Sequence, residues 1–185
     1  MKDLSLNVLD VAHNSISAGA SLIEVTLAEE ADLLTISIKD NGCGIAPEML
    51  KTVTDPFTTS RTTRKVGMGL PLFKLAAQQS GGDLTIESTV GVGTVVNTSF
   101  FTSNIDCPPI GDMGSTAALL AGALKEGMEL VYTRIKDGRS FVFDTREVRA
   151  VLGGISLGEP EIQEWIRAYV TEQEESIKTP LQPEG

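Results

Sequence analysis

The stretch Asp40-Asn41-Gly42-Cys43-Gly44 sets a carboxylate beside two glycines, and a second glycine pair follows at Gly67-Met68-Gly69. Between them runs a loop dense in hydroxyls and cations, Thr58-Thr59-Ser60-Arg61-Thr62-Thr63-Arg64-Lys65. An amphipathic segment carrying Asp10 and Asn14 comes first. A carboxylate can accept a hydrogen bond from the edge of a base. Backbone amides near glycines, at the start of a helix, can hold phosphates. A side-chain amide oxygen suits a hard divalent cation. Each piece alone says little; in this order they describe one pocket, and its combination of parts points to ATP.

These residues require elements that position them. From Leu4 to Ala18, the residues Leu4, Val8, Val11, Ala12 and Ile16 recur at helical spacing and predict one buried stripe. Asn7, Asp10 and Asn14 fall on another stripe, the last two one turn apart, and Gly19 is a natural stop. Ile23, Val25 and Leu27 alternate with polar residues, as do Leu34, Ile36 and Ile38 after an acidic turn, which predicts adjacent antiparallel strands. Asp40 shares the parity of Leu34, Ile36 and Ile38 and so continues their core-facing row. A carboxylate there requires a partner, because burying it unpaired is costly, and a ligand amine would serve.

Further on, Pro47 to Val53 suits a short helix, Asp55 to Met68 a loop, and Gly69 to Ser80 a helix with Leu72, Leu75 and Ala76 inward. Leu84 to Ser88 and Thr94 to Phe101 read as a second strand pair joined through Val90-Gly91-Val92-Gly93. The expected fold class is α+β: a two-layer sandwich, its sheet mixed and mostly antiparallel, with helices on one face. This ends at residue 101. Residues 102–114, with two prolines and two glycines, read as a linker. Residues 115–178 read as a small C-terminal α/β appendage of unknown role. In it, strands flank the hairpin signal Lys136-Asp137-Gly138-Arg139, and Asp144 with Glu147 resembles a capping box. A last helix opens at Glu159-Pro160-Glu161, with Ile162, Trp165, Ile166, Tyr169 and Val170 on one side as core. Residues 179–185 read as a disordered tail.

Bulk properties narrow the function class. A chain of 185 residues, 41% hydrophobic, suffices for one ordinary domain and a small addition, and a mean hydropathy near zero excludes a disordered chain. The net charge of -10 argues against nucleic acid and against anionic membrane surfaces as partners. No apolar run approaches the roughly 20 residues that cross a bilayer, and Met1-Lys2-Asp3 lacks a signal-peptide layout. Cys43 and Cys107 fit neither a CxxC motif nor a disulfide framework. The expected location is the cytoplasm.

Residues 1–101 resemble the Bergerat-fold ATPase domain of the GHKL superfamily: gyrase B subunits, heat-shock chaperones, histidine kinases and mismatch-repair proteins. Asp10-Val11-Ala12-His13-Asn14 matches the N-box, Asp40-x-Gly42-x-Gly44 the first glycine box, and Asp55-Pro56-Phe57 the start of the lid. Gly67-x-Gly69-Leu70 matches the second glycine box and Gly91-x-Gly93-Thr94 the last motif. The short lid is most similar to those of histidine kinases and anti-sigma serine kinases, without a phosphoacceptor domain.

The resemblance implies that Asp40 accepts from the adenine amine with Thr94 nearby, and that Asn14 coordinates Mg²⁺. It implies a nucleotide pocket completed by Gly42, Gly44, Ile45, Gly67, Met68, Gly69 and Leu70, with phosphate contact from among Arg61, Arg64 and Lys65. Asp10 stands where members that hydrolyse ATP carry Glu, one methylene longer, so it is either the general base or a merely polar, metal-hydrating residue. The lone His13 reads as structural. Two functions are expected from these boxes: a kinase or ATPase acting on an unidentified protein partner, or an ATP-gated binding module with slow or absent turnover. A homodimer is compatible with both.

Overall fold

A computed structural model of the chain describes residues 2–55 and 69–179. Helix α1, Leu4–Ser17, buries Leu4, Val8, Val11, Ala12 and Ile16, the stripe expected from spacing. Its Asp3 N-cap makes no side-chain capping bond. Its first amides are satisfied instead from far along the chain: Leu4 N donates to the Pro109 carbonyl at 2.9 Å and Ser5 N to that of Ile110 at 2.7 Å. These bonds fill the orphan donors that every helix start leaves.

Strands β1, Leu22–Glu30, and β2, Leu33–Asp40, pair antiparallel with Ile23 opposite Asp40. After the short helix α2, Pro47–Leu50, and helix α3, Gly69–Gln79, come β3, Leu84–Thr89, and β4, Gly93–Phe101. The inward face of α3 differs from the expectation. Leu70, Pro71, Phe73 and Ala77 are buried and Ala76 packs beside them, whereas Leu72 and Leu75 are exposed. Phe73 decides the rotation: its ring meets Phe100 of β4 at 5.8 Å between centroids, and the larger side chain takes the core.

Helix α4, Met113–Ala123, has no counterpart in the sequence reading, which ended a linker at residue 114. It is apolar almost all round, so it carries no polar stripe for a periodicity argument to find. Both sides are covered: Thr116 Oγ1 bonds the Ser5 carbonyl of α1 at 3.1 Å. On the other side lies α6, Pro160–Lys178, so close that a Cβ at Gly114 would sit 2.6 Å from the Arg167 carbonyl.

Strands β5, Glu129–Lys136, and β6, Arg139–Asp144, form the expected hairpin, with Asp137 and Gly138 both at positive φ. They extend the main sheet. β5 runs parallel to β1 with Ile23 opposite Leu130, giving a six-stranded order β3-β4-β2-β1-β5-β6. Helix α5, Thr145–Leu152, starts from Asp144, which accepts from Arg146 N, and stops at Gly153 in the left-handed region. The mixed, mostly antiparallel sheet with its inner side chains under helices is the α+β class expected. Trp165 departs from expectation: it is 49% exposed and stacks on Tyr169, while Ile166, Val170, Glu174 and Ile177 face inward. Thr179 is tied back to Glu175 through its hydroxyl, and the rest of the tail lies outside the described residues.

Candidate functional site

Helix α1 serves as a ruler along which the chemistry-bearing residues line up. At its C-terminal end the glycine loop after β2 closes on it. Cys43 N donates to the Ala18 carbonyl at 3.0 Å, and Gly42 packs so tightly that a Cβ there would sit 2.8 Å from Ala18 Cβ. Gly44 adopts φ +79°, and a side chain would run into the Thr89 carbonyl. A side chain at Gly42 would push the loop off the helix, and one at Gly44 would push it off the end of β3.

Asp40 stands at the mouth of this loop, half-buried at the end of the β2 core row. Its two oxygens have different partners. Oδ2 accepts from Ser15 Oγ of α1 at 2.6 Å, and Oδ1 accepts from Gly42 N at 2.9 Å. The partner that the sequence reading sought in a ligand is thus supplied in part by Ser15, whose side chain is buried. A carboxylate oxygen has room for more than one hydrogen bond, so both remain able to accept from a further donor.

Thr94 lies directly across the ladder from Asp40. Its hydroxyl is 2.7 Å from Ser88 Oγ, and that same Ser88 Oγ accepts from Ile45 N at 2.8 Å. Ser88 thereby joins the first glycine loop to the end of β4. Asn41 pins the loop from outside, accepting from Ser21 N at 2.8 Å and Leu22 N at 3.0 Å. Neither Ser15 nor Ser88 is marked as a site residue by the sequence. Strand register was the available signal for Ser88, which pairs with Thr94 in the ladder; nothing in the local sequence marks Ser15.

Asn14, partly exposed, lies one turn below Ala18 on α1, and Asp10 one turn further. From Asp10 to Ala18 the helix rises about 12 Å at 1.5 Å per residue. At the Asp10 end α3 begins. A Cβ at Gly69 would lie 3.3 Å from Asp10 Cβ, so the start of α3 packs against this residue of α1. Leu70 is buried and fixes the helix to the core. Lys2 Nζ pairs with Asp10 Oδ2 at 2.6 Å, both side chains remaining about two-fifths exposed. Arg61, Arg64, Lys65, Gly67 and Met68 lie outside the described residues.

The structure therefore brings Asp10, Asn14, Asp40, Gly42, Gly44, Ile45, Gly69, Leu70 and Thr94 around one helix and the two chain segments that meet it. One end offers a carboxylate with directed lone pairs, the other a helix start, a carboxylate and a cation. Comparisons with known proteins identify the family. Residues 2–103 match the family described as histidine kinase-, DNA gyrase B-, and HSP90-like ATPase. Sporulation kinase E of Bacillus subtilis (strain 168) is 30% identical over 95 residues, 51% of this chain and 13% of that protein. Histidine protein kinase DivJ of Caulobacter vibrioides is 33% identical over 101 residues, 52% of this chain and 17% of that protein. The chain thus spans less than a fifth of these relatives. A crystal structure described as the N-terminal domain of a DNA repair protein shares the fold, with a TM-score of 0.53 at 16% identity over 77% of this chain and 52% of that one. The chain belongs to the family of histidine kinase-, DNA gyrase B- and HSP90-like ATPases, the GHKL superfamily with its Bergerat fold.

Proposed function

We propose that this pocket binds Mg-ATP, with the adenine at Asp40 and the phosphates toward Asp10, and that the protein uses it to phosphorylate a Ser, Thr or His of a protein partner. The observation that carries the reading is Asp40: Ser15 and the Gly42 amide fix its carboxylate, leaving lone pairs for an exocyclic amine. Thr94 stands opposite, able to share a water or a ring nitrogen with it. The names of the matched relatives, kinases both, support transfer rather than hydrolysis alone.

The donor set also fits the metal. Among the described residues no group of three or more His, Cys, Asp or Glu could hold a cation by itself. Mg²⁺ does not ask for one: it keeps several waters and leans on phosphate oxygens, with one or two protein oxygens. Asn14, midway along the ruler, supplies such an oxygen. Bound ATP contributes the γ-phosphoryl group. Asp10 would orient the acceptor, a Ser or Thr hydroxyl or a His imidazole, and take its proton on a carboxylate oxygen. The acceptor bonds to the γ-phosphorus as the bond to the β-phosphate oxygen breaks, releasing ADP. Most of the rate comes from positioning and electrostatics.

One observation favours a second reading, the ATP-gated binding module. Asp10, already a methylene shorter than Glu, is held by Lys2. A carboxylate one methylene short has less reach toward an acceptor, and that favours slow turnover. In that case ATP acts through its differential affinity for two conformations.

The test compares wild type, Asp10→Asn and Asn14→Ala for Mg-ATP binding by thermal shift and for transfer of labelled phosphate to a co-purified partner. Ligand at a hundredfold excess over Kd raises stability by about 2.7 kcal/mol. Kinase function predicts that Asp10→Asn binds and loses transfer, while Asn14→Ala loses Mg-dependent binding. A wild type that binds but never transfers leaves the gated module, and one that shows no shift ends both.

A further inference from the structure

Lys2 lies outside every box that defines the family site, yet it is the residue joined to Asp10. Its ammonium is 2.6 Å from Asp10 Oδ2, at the end of α1 where α3 begins. This is not a loose terminus falling on a surface charge. The two residues that follow Lys2 and Asp3 are anchored through their amides, Leu4 to the Pro109 carbonyl and Ser5 to that of Ile110, and Leu6 N closes the first turn on the Asp3 carbonyl at 3.0 Å. The segment just before α4 thereby fixes where Lys2 can reach. With both partners about two-fifths exposed, the pair is worth little and opens readily.

Building on the nucleotide reading above, we propose that Lys2 is a counter-ion for the terminal phosphate of ATP, exchanging Asp10 for that phosphate when nucleotide enters. Two features require such a group. Asp10 puts a negative charge at the end of the pocket where a γ-phosphate would carry more, and like charges at close range are costly. Among the described residues Lys2 is the cation in hydrogen-bonding contact with Asp10. Its flexible four-carbon stem carries three rotatable donors, which suits exchanging one anion for another. The exchange neutralises the phosphate and frees Asp10 in one movement. ADP lacks the terminal group, so Lys2 stays on Asp10, and the pocket distinguishes the two nucleotides by a residue that touches neither base nor sugar.

The experiment measures ATP and ADP affinities by calorimetry for wild type, Lys2→Met, Lys2→Arg, and the distant control Lys125→Met, which changes charge equally. The expected result is that Lys2→Met weakens ATP about tenfold and leaves ADP unchanged, an effect that shrinks at high salt because exposed charges are screened. Lys2→Arg keeps most of the preference for ATP, and Lys125→Met keeps all of it. Unfolding temperatures of the free proteins, unchanged among the variants, separate this from a folding defect. If wild type binds both nucleotides but its ATP-to-ADP ratio survives Lys2→Met, the Lys2 assignment is wrong and the nucleotide site stands. If wild type binds neither, both fall together.

Discussion

Asp40 has two oxygens, and the chain occupies each with one donor. Ser15 Oγ at 2.6 Å sets the plane of the carboxylate from the helix side, and Gly42 N at 2.9 Å sets it from the loop side. Losing Ser15 leaves the loop bond alone to hold that plane. Ser15→Ala is therefore expected to weaken ATP about tenfold, close to the 1.4 kcal/mol of one hydrogen bond to a charged group, with unfolding temperature little changed. Calorimetric titration checks it; an unaltered affinity would mean that Asp40 needs no support from α1. Motif spacing picks out Asp40, Asn14 and the glycines, because their chemistry is tied to short stretches of chain. Ser15, Ser88 and Lys2 escape that reading: each acts on a residue brought near only by folding.

Helices α4 and α5 show how caps place elements. Asp112 accepts from Ser115 N at 2.9 Å and from Ser115 Oγ at 2.6 Å, and these bonds hold its carboxyl below the usual range. Asp144 does the same work for α5, its carboxyl lowered by the Arg146 side chain and amide. A carboxylate whose pKa falls on folding stabilises the native state above the unfolded pKa near 4, and that contribution disappears as pH drops through the folded value. Asp112 is exposed, and Asp144, although only 14% exposed itself, pairs with an Arg146 that is 57% exposed, which keeps each contribution small. Stability should therefore hold steady from neutral pH to about 5 and decline below 4. Asp112→Ala should cost about 1 kcal/mol at neutral pH, the usual worth of a cap. Urea titrations at pH 7 and pH 3 test both statements: a cap effect as large at pH 3 as at pH 7 would contradict the charge-based account.

Across the whole molecule the C-terminal half is joined to the nucleotide half in three ways: through the sheet, through α4, and through a buried ionic cluster. Arg134, fully buried on β5, pairs with Glu29 of β1 and, at 3.0 Å, with Glu174 of α6. Desolvation pulls the Arg134 pKa down, but Glu174 and Glu29 outweigh it and the net shift is upward. The Tyr132 hydroxyl also donates to Glu174, and burial beside that carboxylate pushes the phenol well up, so it stays protonated. Removing one member leaves a buried charge short of its partner, which costs about 3–5 kcal/mol, more than an exposed pair supplies. Glu174→Ala is expected to lower stability by that amount in urea unfolding. It is also expected to leave a single transition, because β5 remains in the sheet and the two halves share one core. Two separated transitions would show instead that the halves fold independently.

The division between what the sequence settles and what folding settles follows the range of the interactions. Alternation in β1 and β2, the stripe on α1, the Asp137-Gly138 hairpin and the ordered glycine boxes are local patterns. They determine β1 and β2, the β5–β6 hairpin, the first helix and the family of the site before any contact is known. The rotation of α3 depends on Phe73 finding Phe100 across 27 residues of chain. The existence of α4 depends on cover from α1 and α6, since a helix apolar almost all round is stable only when most of its surface is buried. The parallel pairing of β1 with β5, the capping of α1 by Pro109 and Ile110, and the meeting of Lys2 with Asp10 belong to the same class. Each joins segments that carry no shared pattern. Packing of the complete chain is what brings them within reach.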